Sequence, residues 1–516
     1  MKRFDWLLLT LLVLIRVPYY WTRHIQEDAF ISFRCAMTLA DTGTYGFNLL
    51  ERVSAATSHL YVFLLAMLRL FTGDYFILAA QLAGTVILVL AVRMLVRLLT
   101  TEPWGRLLWV LASLLPPALV ISYCGMETPL VILAIAAILT VWQQEYDGWK
   151  LAALLFLLPW VRPELTALGF LLGFVAWSQW RRLAWRGLLG LVTGVGALFL
   201  FNQLYFGEPL NHTITAKMVQ MHPSHSIAGV AVNIRDAFHN LYLPVGTKHT
   251  EPFGLFFMGA VLCAQMLGLR FLRKAPGAAT LRTFVLVALA LPLAYGIGGV
   301  VFAWYLWPWT LLGEIALLYI LLSAFRQLPR PRLVVIGAVV LPVLLLAAAQ
   351  WMVSVGWGAK ERRYRAEIGM QLRNMIPPGG SLMLEPIGYI PFFAQRYTHC
   401  EIGLASPTVT DYRRKFGNNW FGMYIQDFRP THLLQKVDPQ TGEFDEITTA
   451  AQRDWLHAHY RLVKTFSYDP VRISRSPLIL AIIRHTSACV YYLYEYHADQ
   501  AAGALLVPGR RSSRES

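Results

Sequence analysis

The 516-residue chain contains few charged residues. Only 15% of its residues are charged and 56% are hydrophobic, whereas about 25% are charged in a typical soluble domain. Apolar runs of about 20 residues recur along the chain, and a soluble domain does not contain such runs repeatedly. The net charge of +15 comes from short basic clusters between apolar runs, which favours anchoring of cytoplasmic loops over a nucleic-acid groove. These features predict a polytopic membrane protein that binds no nucleic acid.

Cysteine is also scarce, and the chain lacks a cleavable leader pattern. Residues 1–20 are apolar but have no small-residue cleavage site, so we predict that they form a retained first span. The cysteines show no CxxC spacing and suggest neither a metal site nor a disulfide framework. They are Cys35, Cys124, Cys263, Cys400 and Cys489.

The distribution of Lys and Arg predicts how the chain crosses the membrane, because basic residues concentrate in cytoplasmic loops. Lys2 and Arg3 place the N-terminus inside. The short apolar stretch 58–71 is predicted to lie along the outer interface as an amphipathic helix, since a crossing there would place the basic residues of 93–106 outside. A long outer loop is predicted over 206–250. About eleven spans result: 5–20, 75–97, 106–122, 129–144, 150–160, 165–180, 187–205, 251–270, 282–301, 304–325 and 333–355.

The composition changes from about residue 357, where charged residues and Pro become common and no further run is long enough to span. Residues 360–376 predict a helix that ends before Pro377, and 381–385 and 397–402 predict strands. We therefore predict a polytopic α-helical membrane domain, an α/β domain on its outer face, and a disordered tail. Their boundaries are 1–356, 357–500 and 501–516.

Ionisable residues gather at the predicted outer face or just beneath it. Such groups at membrane depth are costly and usually line a cavity or a substrate path. Carboxylates with Arg and Lys between them suit a lipid-linked phosphate substrate, because the cations hold the phosphate and a carboxylate accepts a proton from an attacking hydroxyl. The residues are Glu27, Asp28, Glu127, Arg162, Glu164, Glu208, His212 and Lys217.

The two carboxylates of the first loop also have structural interpretations. Asp is a favoured N-cap, so Asp28 can simply cap a helix that begins at Ala29. Glu27 can pair with Arg23 or His24 at the interface.

The basic and aromatic residues have structural interpretations as well. Arg162, which precedes a proline, can be a snorkelling interfacial residue, and Lys217 can be a solvated loop lysine. Arg34 is predicted to contact lipid headgroups. The aromatic run 302–309 is predicted to form an interfacial belt, from which a Trp or Tyr can also stack on a sugar.

Several motifs, in order along the chain, carry a resemblance to a known family. The first is "EDAFISFRCAMTLADTGTYGFNLLERVSAATSHLYVFLLAML", which starts at Glu27. It is followed by "GMETPL" (125–130), "VRPEL" (161–165), "YFGEPLNHTITAKM" (205–218), "WYLWPW" (304–309) and "EPIGYIPFFAQRYTHCEIGLASP" (385–407). Together they resemble the polytopic C-superfamily (GT-C) glycosyltransferases. Within that superfamily they most resemble the arabinofuranosyltransferases that build mycobacterial cell walls or modify pilin.

The resemblance implies a GT-C fold in a bacterial cytoplasmic (inner) membrane, with the active site and C-terminal domain on the periplasmic side. It implies inverting transfer of a sugar, arabinofuranose first, from a polyprenyl-phosphate donor to a glycan or pilin-like protein. The family's general base corresponds to Asp28, and its preceding Asp is Glu27 here. We predict that Arg162 and Lys217 bind the donor phosphate. The predicted substrate-binding residues are Glu27, Glu127, Glu164, His212 and Tyr305.

No cofactor is predicted. A divalent cation near Glu27 is left open by the sequence but is unsupported, because no His or Cys ligand spacing accompanies it. A transporter or flippase for lipid-linked sugars is the alternative function. Such proteins often show internal repeats and charges near the bilayer midplane, whereas this sequence shows no repeat and gathers its charges at one edge. A scaffold whose C-terminal domain only binds glycan or partner proteins is a second alternative.

Overall fold

A computed structural model describes residues 3–22, 24–145, 147–180, 184–221, 226–241, 251–274, 277–299, 302–328, 331–437, 446–484 and 490–497. The chain is mostly helical and has a five-stranded sheet near its C-terminus. The predicted disordered tail lies outside the described residues, as do Arg23 and Cys489.

The first half of the chain forms a series of helices. Two breaks follow from proline, which restricts the preceding residue to extended conformations and removes a backbone donor. Helices α6 and α7 are bent by 63° at Leu115 before Pro116, and α9 ends at Val161 because Arg162 precedes Pro163. The helices are α1 Arg3–Leu14, α2 Val17–Thr22, α3 Ala29–Thr42, α4 His59–Thr72, α5 Phe76–Leu99, α6 Gly105–Leu114, α7 Pro116–Tyr123, α8 Thr128–Gln144, α9 Trp149–Val161, α10 Thr166–Trp180 and α11 Trp185–Phe206.

The helices continue to the start of the C-terminal domain. Residues 206–250, predicted as a long outer loop, contain helices α12 and α13 in their described part, and their place outside the membrane stays a prediction. Helix α13 packs on α15 and α16, and Gly296 permits a close approach, since an added Cβ would lie 2.8 Å from the Cα of Ile234. The helices are α12 His212–Met221, α13 Ile227–Leu241, α14 Glu251–Phe271, α15 Ala278–Gly298, α16 Ala303–Phe325, α17 Pro331–Val335 and α18 Leu341–Arg363.

By length and composition, five helical segments in the described ranges can cross a membrane, or six if the bent pair α6–α7 counts as one. The helix predicted at 58–71 is present as α4, and the 3-10 turn Gly73–Tyr75 follows it before α5. The segment from α4 to α5 counts as one of the five, so the placement of α4 along the interface stays a prediction. Shorter apolar helices also occur, including α8 and α9. The total of about eleven spans therefore stays a prediction.

Helices α9 and α11 pack against each other closely. Gly190 and Gly194 have the spacing of small residues that lets helix backbones approach in membranes. An added Cβ would lie 2.1 Å from the carbonyl oxygen of Ala152 at Gly190, and 2.3 Å from that of Phe156 at Gly194.

The C-terminal domain is α/β, as predicted. Strand β1 pairs in parallel with β2 and β3, and β5 pairs antiparallel with β3 and β4, which gives the order β2-β1-β3-β5-β4. The strands are β1 Ser381–Leu384, β2 Tyr397–Cys400, β3 His432–Val437, β4 Tyr460–Phe466 and β5 Val490–Tyr496. The helices are α19 Arg365–Met375, α20 Tyr389–Ala394, α21 Pro407–Phe416, α22 Trp420–Phe428, α23 Ala450–His459, α24 Pro470–Ile473 and α25 Pro477–Ile483.

The predicted strands at 381–385 and 397–402 are confirmed as β1 and β2. The predicted helix over 360–376 is divided at Tyr364, where α18 gives way to α19. Helix α19 ends at Met375, before Pro377 as expected.

Arg34 joins the first loop to the C-terminal domain. Its buried guanidinium donates hydrogen bonds to the carbonyl oxygens of Phe47 (2.9 Å), Pro391 (2.8 Å) and Arg396 (2.6 Å). The prediction that Arg34 contacts lipid headgroups is therefore wrong. Sequence spacing cannot show a partner that lies more than 350 residues further along the chain.

Candidate functional site

Asp28 stands immediately before α3, at the N-cap position, with its backbone in the helical region (φ −63°). Its side chain makes no capping hydrogen bond, so the capping interpretation is not realised. Its carboxylate also forms no hydrogen bond or ion pair with the part of the chain that the structure describes. A half-buried carboxylate without a partner is available to a ligand.

The surroundings of Asp28 set its proton affinity. Desolvation by the protein raises the pKa of Asp28 to about 6. Lys217 and Arg162 act in the opposite direction, while Glu27 and Glu127 add to the increase. A carboxylate with a pKa near the operating pH is well matched to general-base catalysis, because it is ionised yet basic enough to take a proton.

Arg162 lies in the extended link between α9 and the 3-10 helix Pro163–Leu165. Its Nη1 is 3.1 Å from Glu127 Oε1, its Nη2 is 2.6 Å from Glu164 Oε1, and its Cζ lies 4.5 Å from the centre of the Tyr305 ring. The residue is only 3% exposed, which excludes a snorkelling role. Its Nε is buried without a hydrogen-bond partner in the described structure.

Lys217 on α12 faces the same aromatic ring. Its Nζ donates a hydrogen bond of 2.6 Å to the Tyr305 hydroxyl and lies 5.5 Å from the Phe302 ring. The side chain is half-buried, so the interpretation as a solvated loop lysine is wrong. Burial opposes its charge, but Tyr305 and Asp28 outweigh burial and raise the pKa of Lys217. The ammonium group therefore stays protonated at neutral pH.

A cavity of about 510 Å³ opens beside this cluster. Glu164, Lys217, Tyr295 and Tyr305 line it with polar groups, and the Tyr295 hydroxyl donates to Glu164 at 3.2 Å. The rest of its wall is mainly apolar. Such a cavity, with a cation among apolar side chains, suits an amphiphilic anion. The apolar lining includes Ala167, Ile214, Met218, Leu291 and Ala294.

Glu27 is fully engaged by the C-terminal domain. Its Oε2 pairs with Arg365 Nη1 at 3.0 Å, and its Oε1 accepts hydrogen bonds from the backbone N–H groups of Gly388 (2.8 Å) and Tyr389 (3.0 Å). Glu27 does not pair with His24, as one interpretation of the sequence predicted, because the His24 ring hydrogen-bonds the carbonyl oxygen of Ser354. Glu27 therefore fixes the β1–α20 connection beside Asp28.

His212 is buried and connects α12 to the C-terminal domain. Its Nδ1 is 3.2 Å from Glu208 Oε2, and its Nε2 is 3.1 Å from the carbonyl oxygen of Gly403. These contacts account for both ring nitrogens. A substrate-binding role for His212 stays a prediction.

Glu385 is a candidate site residue that sequence reasoning missed. It directly follows β1, and its Oε2 is buried without a hydrogen-bond partner among the described residues. Desolvation raises the pKa of Glu385 well above its usual range, and the charges of Glu401, Glu27 and Asp28 raise it further. In the sequence it is the last residue of the predicted strand 381–385 and the first letter of the "EPIGY" motif. Carboxyl ends of parallel strands are common ligand positions.

The part of the chain described contains no group of three or more His, Cys, Asp or Glu residues placed to hold a metal ion. Cys35, Cys124, Cys263 and Cys400 are free thiols. The chemistry available in this region is therefore that of carboxylates, two cations and phenols.

Comparison with known proteins gives three findings. A family model described as a domain of unknown function (DUF8728) matches residues 352–491, within the C-terminal part. No curated protein matches the chain. The crystal structure of an oligosaccharyltransferase from Archaeoglobus fulgidus in the apo form matches with a TM-score of 0.47 and 13% identity, over 86% of this chain and 70% of that chain.

Proposed function

We propose that the chain is a GT-C-type glycosyltransferase that moves a sugar from a polyprenyl-phosphate donor to a hydroxyl group of a glycan or protein acceptor. The observation that carries the proposal is the unpaired carboxylate of Asp28, which has Lys217 and Arg162 as electrostatic neighbours while Lys217 lines a largely apolar cavity. A base next to cations and an apolar cavity provides what a lipid-linked phosphate donor requires.

In the proposed reaction the acceptor oxygen attacks the anomeric carbon from the face opposite the phosphate. The new C–O bond forms as the bond from that carbon to the phosphate oxygen breaks, and the configuration at the carbon inverts. The hydroxyl proton passes to Asp28, and the electron pair of the broken bond stays on the polyprenyl phosphate. A phosphate is a good leaving group, so no general acid is required.

Lys217 and Arg162 have distinct roles in this proposal. Lys217 forms no ion pair with the described residues and lines the cavity, so in this proposal it contacts the phosphate directly. Arg162 already pairs with Glu127 and Glu164, but its unpartnered Nε leaves one donor for the substrate. Stabilisation of charge that develops on a leaving group is worth most in a site shielded from water.

The acceptor side is assigned to the C-terminal domain. Glu385 has a buried carboxyl oxygen without a partner in the described chain and is an electrostatic neighbour of Asp28. We expect it to hydrogen-bond the acceptor near the attacking hydroxyl. Glu27 holds the adjoining backbone at Gly388 and Tyr389 and so positions Glu385.

The finer assignments follow the motif resemblance. We propose arabinofuranose as the sugar, a bacterial inner membrane as the location, and the extracytoplasmic side as the side of reaction. The motifs that carry these assignments include Asp28, Arg162 and Lys217.

The test is mass spectrometry of cell-surface glycans and glycoproteins after deletion of the gene, followed by complementation. Deletion should remove a pentose, which wild type and Asp411→Asn should restore, because Asp411 is exposed on α21. Asp28→Asn should lower the transfer rate by about 10²–10⁴-fold, the usual contribution of a general base. Normal modification by Asp28→Asn would refute the base assignment.

The same purified protein separates transfer from transport. In liposomes that contain lipid-linked sugar, the proposal expects product only when acceptor is present. Movement of the lipid-linked sugar across the bilayer without any product would instead favour a flippase.

A further inference from the structure

A second cavity, which shares no lining residue with the first, lies where α1 begins, α5 ends and α6 begins. It has a volume of about 510 Å³, and its charged lining comes from Asp5, Arg93, Arg97, Glu102 and Arg106. The sequence places all of these residues at the end of the spans that the Lys and Arg pattern predicts to be cytoplasmic. The site proposed for glycosyl transfer uses none of them.

The arginines of this cavity are held in place by one carboxylate. Asp5 is 2% exposed, and its two oxygens accept hydrogen bonds from Arg93 Nη2 (2.6 Å) and Arg106 Nε (3.1 Å). Arg93 also lies over the Trp109 ring at 4.7 Å. A single buried carboxylate therefore orients two guanidinium groups and neutralises only one of their charges.

Unsatisfied donors remain at this cavity. Arg93 is only 8% exposed, and its Nε has no hydrogen-bond partner in the described part of the chain. Arg97 is exposed and forms no hydrogen bond or ion pair there. Glu102 is exposed and offsets part of the charge, so three guanidinium groups face two carboxylates. The remaining positive charge favours binding of an anion in the cavity.

The surroundings of the cavity favour an anion with apolar chains attached. Helix α1 next to it exposes large apolar side chains, among them Phe4 (53%), Trp6 (56%) and Leu7 (63%). The Phe4 ring lies 5.5 Å from the guanidinium carbon of Arg106. An apolar surface adjoins the basic cavity, as the acyl chains and the headgroup of a phospholipid require.

We propose that this cavity binds the phosphate group of an anionic phospholipid. Arginine presents planar paired donors that match phosphate oxygens. In this proposal Arg97, which has no partner among the described residues, pairs with the phosphate, and Arg93 donates a hydrogen bond to it from its unpartnered Nε. Asp5 acts as a positioning residue that presets the guanidinium groups.

The test uses the purified full-length protein in a neutral detergent, with phosphatidylglycerol as the probe and phosphatidylcholine as the uncharged control. Native mass spectrometry should show one phosphatidylglycerol retained per chain, and the lipid should raise Tm while phosphatidylcholine does not. Arg97→Gln should weaken phosphatidylglycerol binding about tenfold, the value of one charge-assisted hydrogen bond. Arg273→Gln is the matched control, since Arg273 is also exposed but follows α14 and does not line the cavity.

Three results would contradict the proposed lipid site. Equal retention of both lipids, or equal loss in Arg97→Gln and Arg273→Gln, would overturn the proposal. Glycerol 3-phosphate that protects as well as the lipid would assign the cavity to a soluble phosphate ester and overturn the lipid assignment. The readout is binding, so it does not depend on whether the protein transfers sugar.

Discussion

At the scale of single residues, Asp28 and Lys217 determine how the proposed reaction responds to pH. Desolvation raises the pKa of Asp28 to about 6, and Lys217 opposes that increase. The base must be ionised to accept a proton, so the transfer rate should fall as the pH drops through about 6. Lys217→Gln removes a charge that favours the carboxylate, so this fall should move to higher pH.

The measurement is the pH dependence of kcat/KM for the wild type, Lys217→Gln and the control Lys415→Gln. Lys415 is exposed on α21 and should leave the profile unchanged. Lys217→Gln should also lower the overall rate, because it removes a contact with the phosphate. Loss of that contact by itself would not change the pH at which activity falls. A profile that stays in place or moves to lower pH would exclude the proposed coupling.

Asp28 should also reduce the stability of the protein above pH 6. A carboxyl group with a raised pKa in the folded state binds its proton more tightly than in the unfolded chain, so folding stability is lost as the pH rises through the folded pKa. Asp28→Asn removes this titration. Its Tm at pH 8 should equal or exceed that of the wild type, and the difference should shrink as the pH falls below 6. A lower Tm for Asp28→Asn at pH 8 would indicate that the carboxylate stabilises the fold.

At the scale of helices, the contact between α9 and α11 depends on glycine. Gly194→Ala would place a Cβ 2.3 Å from the Phe156 carbonyl oxygen and force the helices apart, at a cost of about 1–3 kcal/mol. Gly196→Ala is the matched control two residues away, because nothing lies within 4 Å of a Cβ there. At Gly196 the substitution should therefore be neutral or stabilising, because alanine favours a helix over glycine by about 1 kcal/mol.

Thermal unfolding in detergent measures both variants. Gly194→Ala should lower Tm, while Gly196→Ala should leave it unchanged or raise it. Equal effects of the two substitutions would show that helix propensity, rather than close approach of the two backbones, governs this segment.

Much of the helical framework was predictable from the sequence, because long apolar runs and Pro boundaries are local signals. The breaks at Leu115 and Arg162 follow from the prolines that come after them. Helices α12 and α13 were missed because they lie in a segment too polar to be predicted as a span. Local polarity does not distinguish a loop from a helix that packs on its neighbours.

The candidate site was predictable in its composition but not in its connections. The convergence of Asp28, Arg162 and Lys217 follows from their placement at one end of the predicted spans. The roles of Glu27 and Arg34 did not follow, because both contact the C-terminal domain more than 330 residues away. Glu385 was missed because its importance depends on how that domain sits on the first loop.

At the scale of the whole molecule, the C-terminal domain contacts the first loop beside the candidate site. Arg34 bonds carbonyl oxygens at Pro391 and Arg396, and Glu27 bonds Arg365 and the backbone at Gly388. These contacts place Glu385 among the electrostatic neighbours of Asp28. The two parts of the chain should therefore act as one unit in the proposed transfer.

Arg34→Met tests this coupling. The substitution keeps much of the apolar stem but leaves buried carbonyl oxygens without donors, at a cost of about 1–3 kcal/mol for each unsatisfied group. Hydrogen exchange should accelerate in α20 and β2, which contain or adjoin the lost partners, while α9 and α11 keep their protection. Arg414→Met is the control, because Arg414 is exposed and its pair with Asp411 contributes little. Faster exchange throughout Arg34→Met would show that the residue supports the whole fold rather than this contact. Faster exchange limited to α20 and β2, together with full transfer activity, would contradict the acceptor role of Glu385.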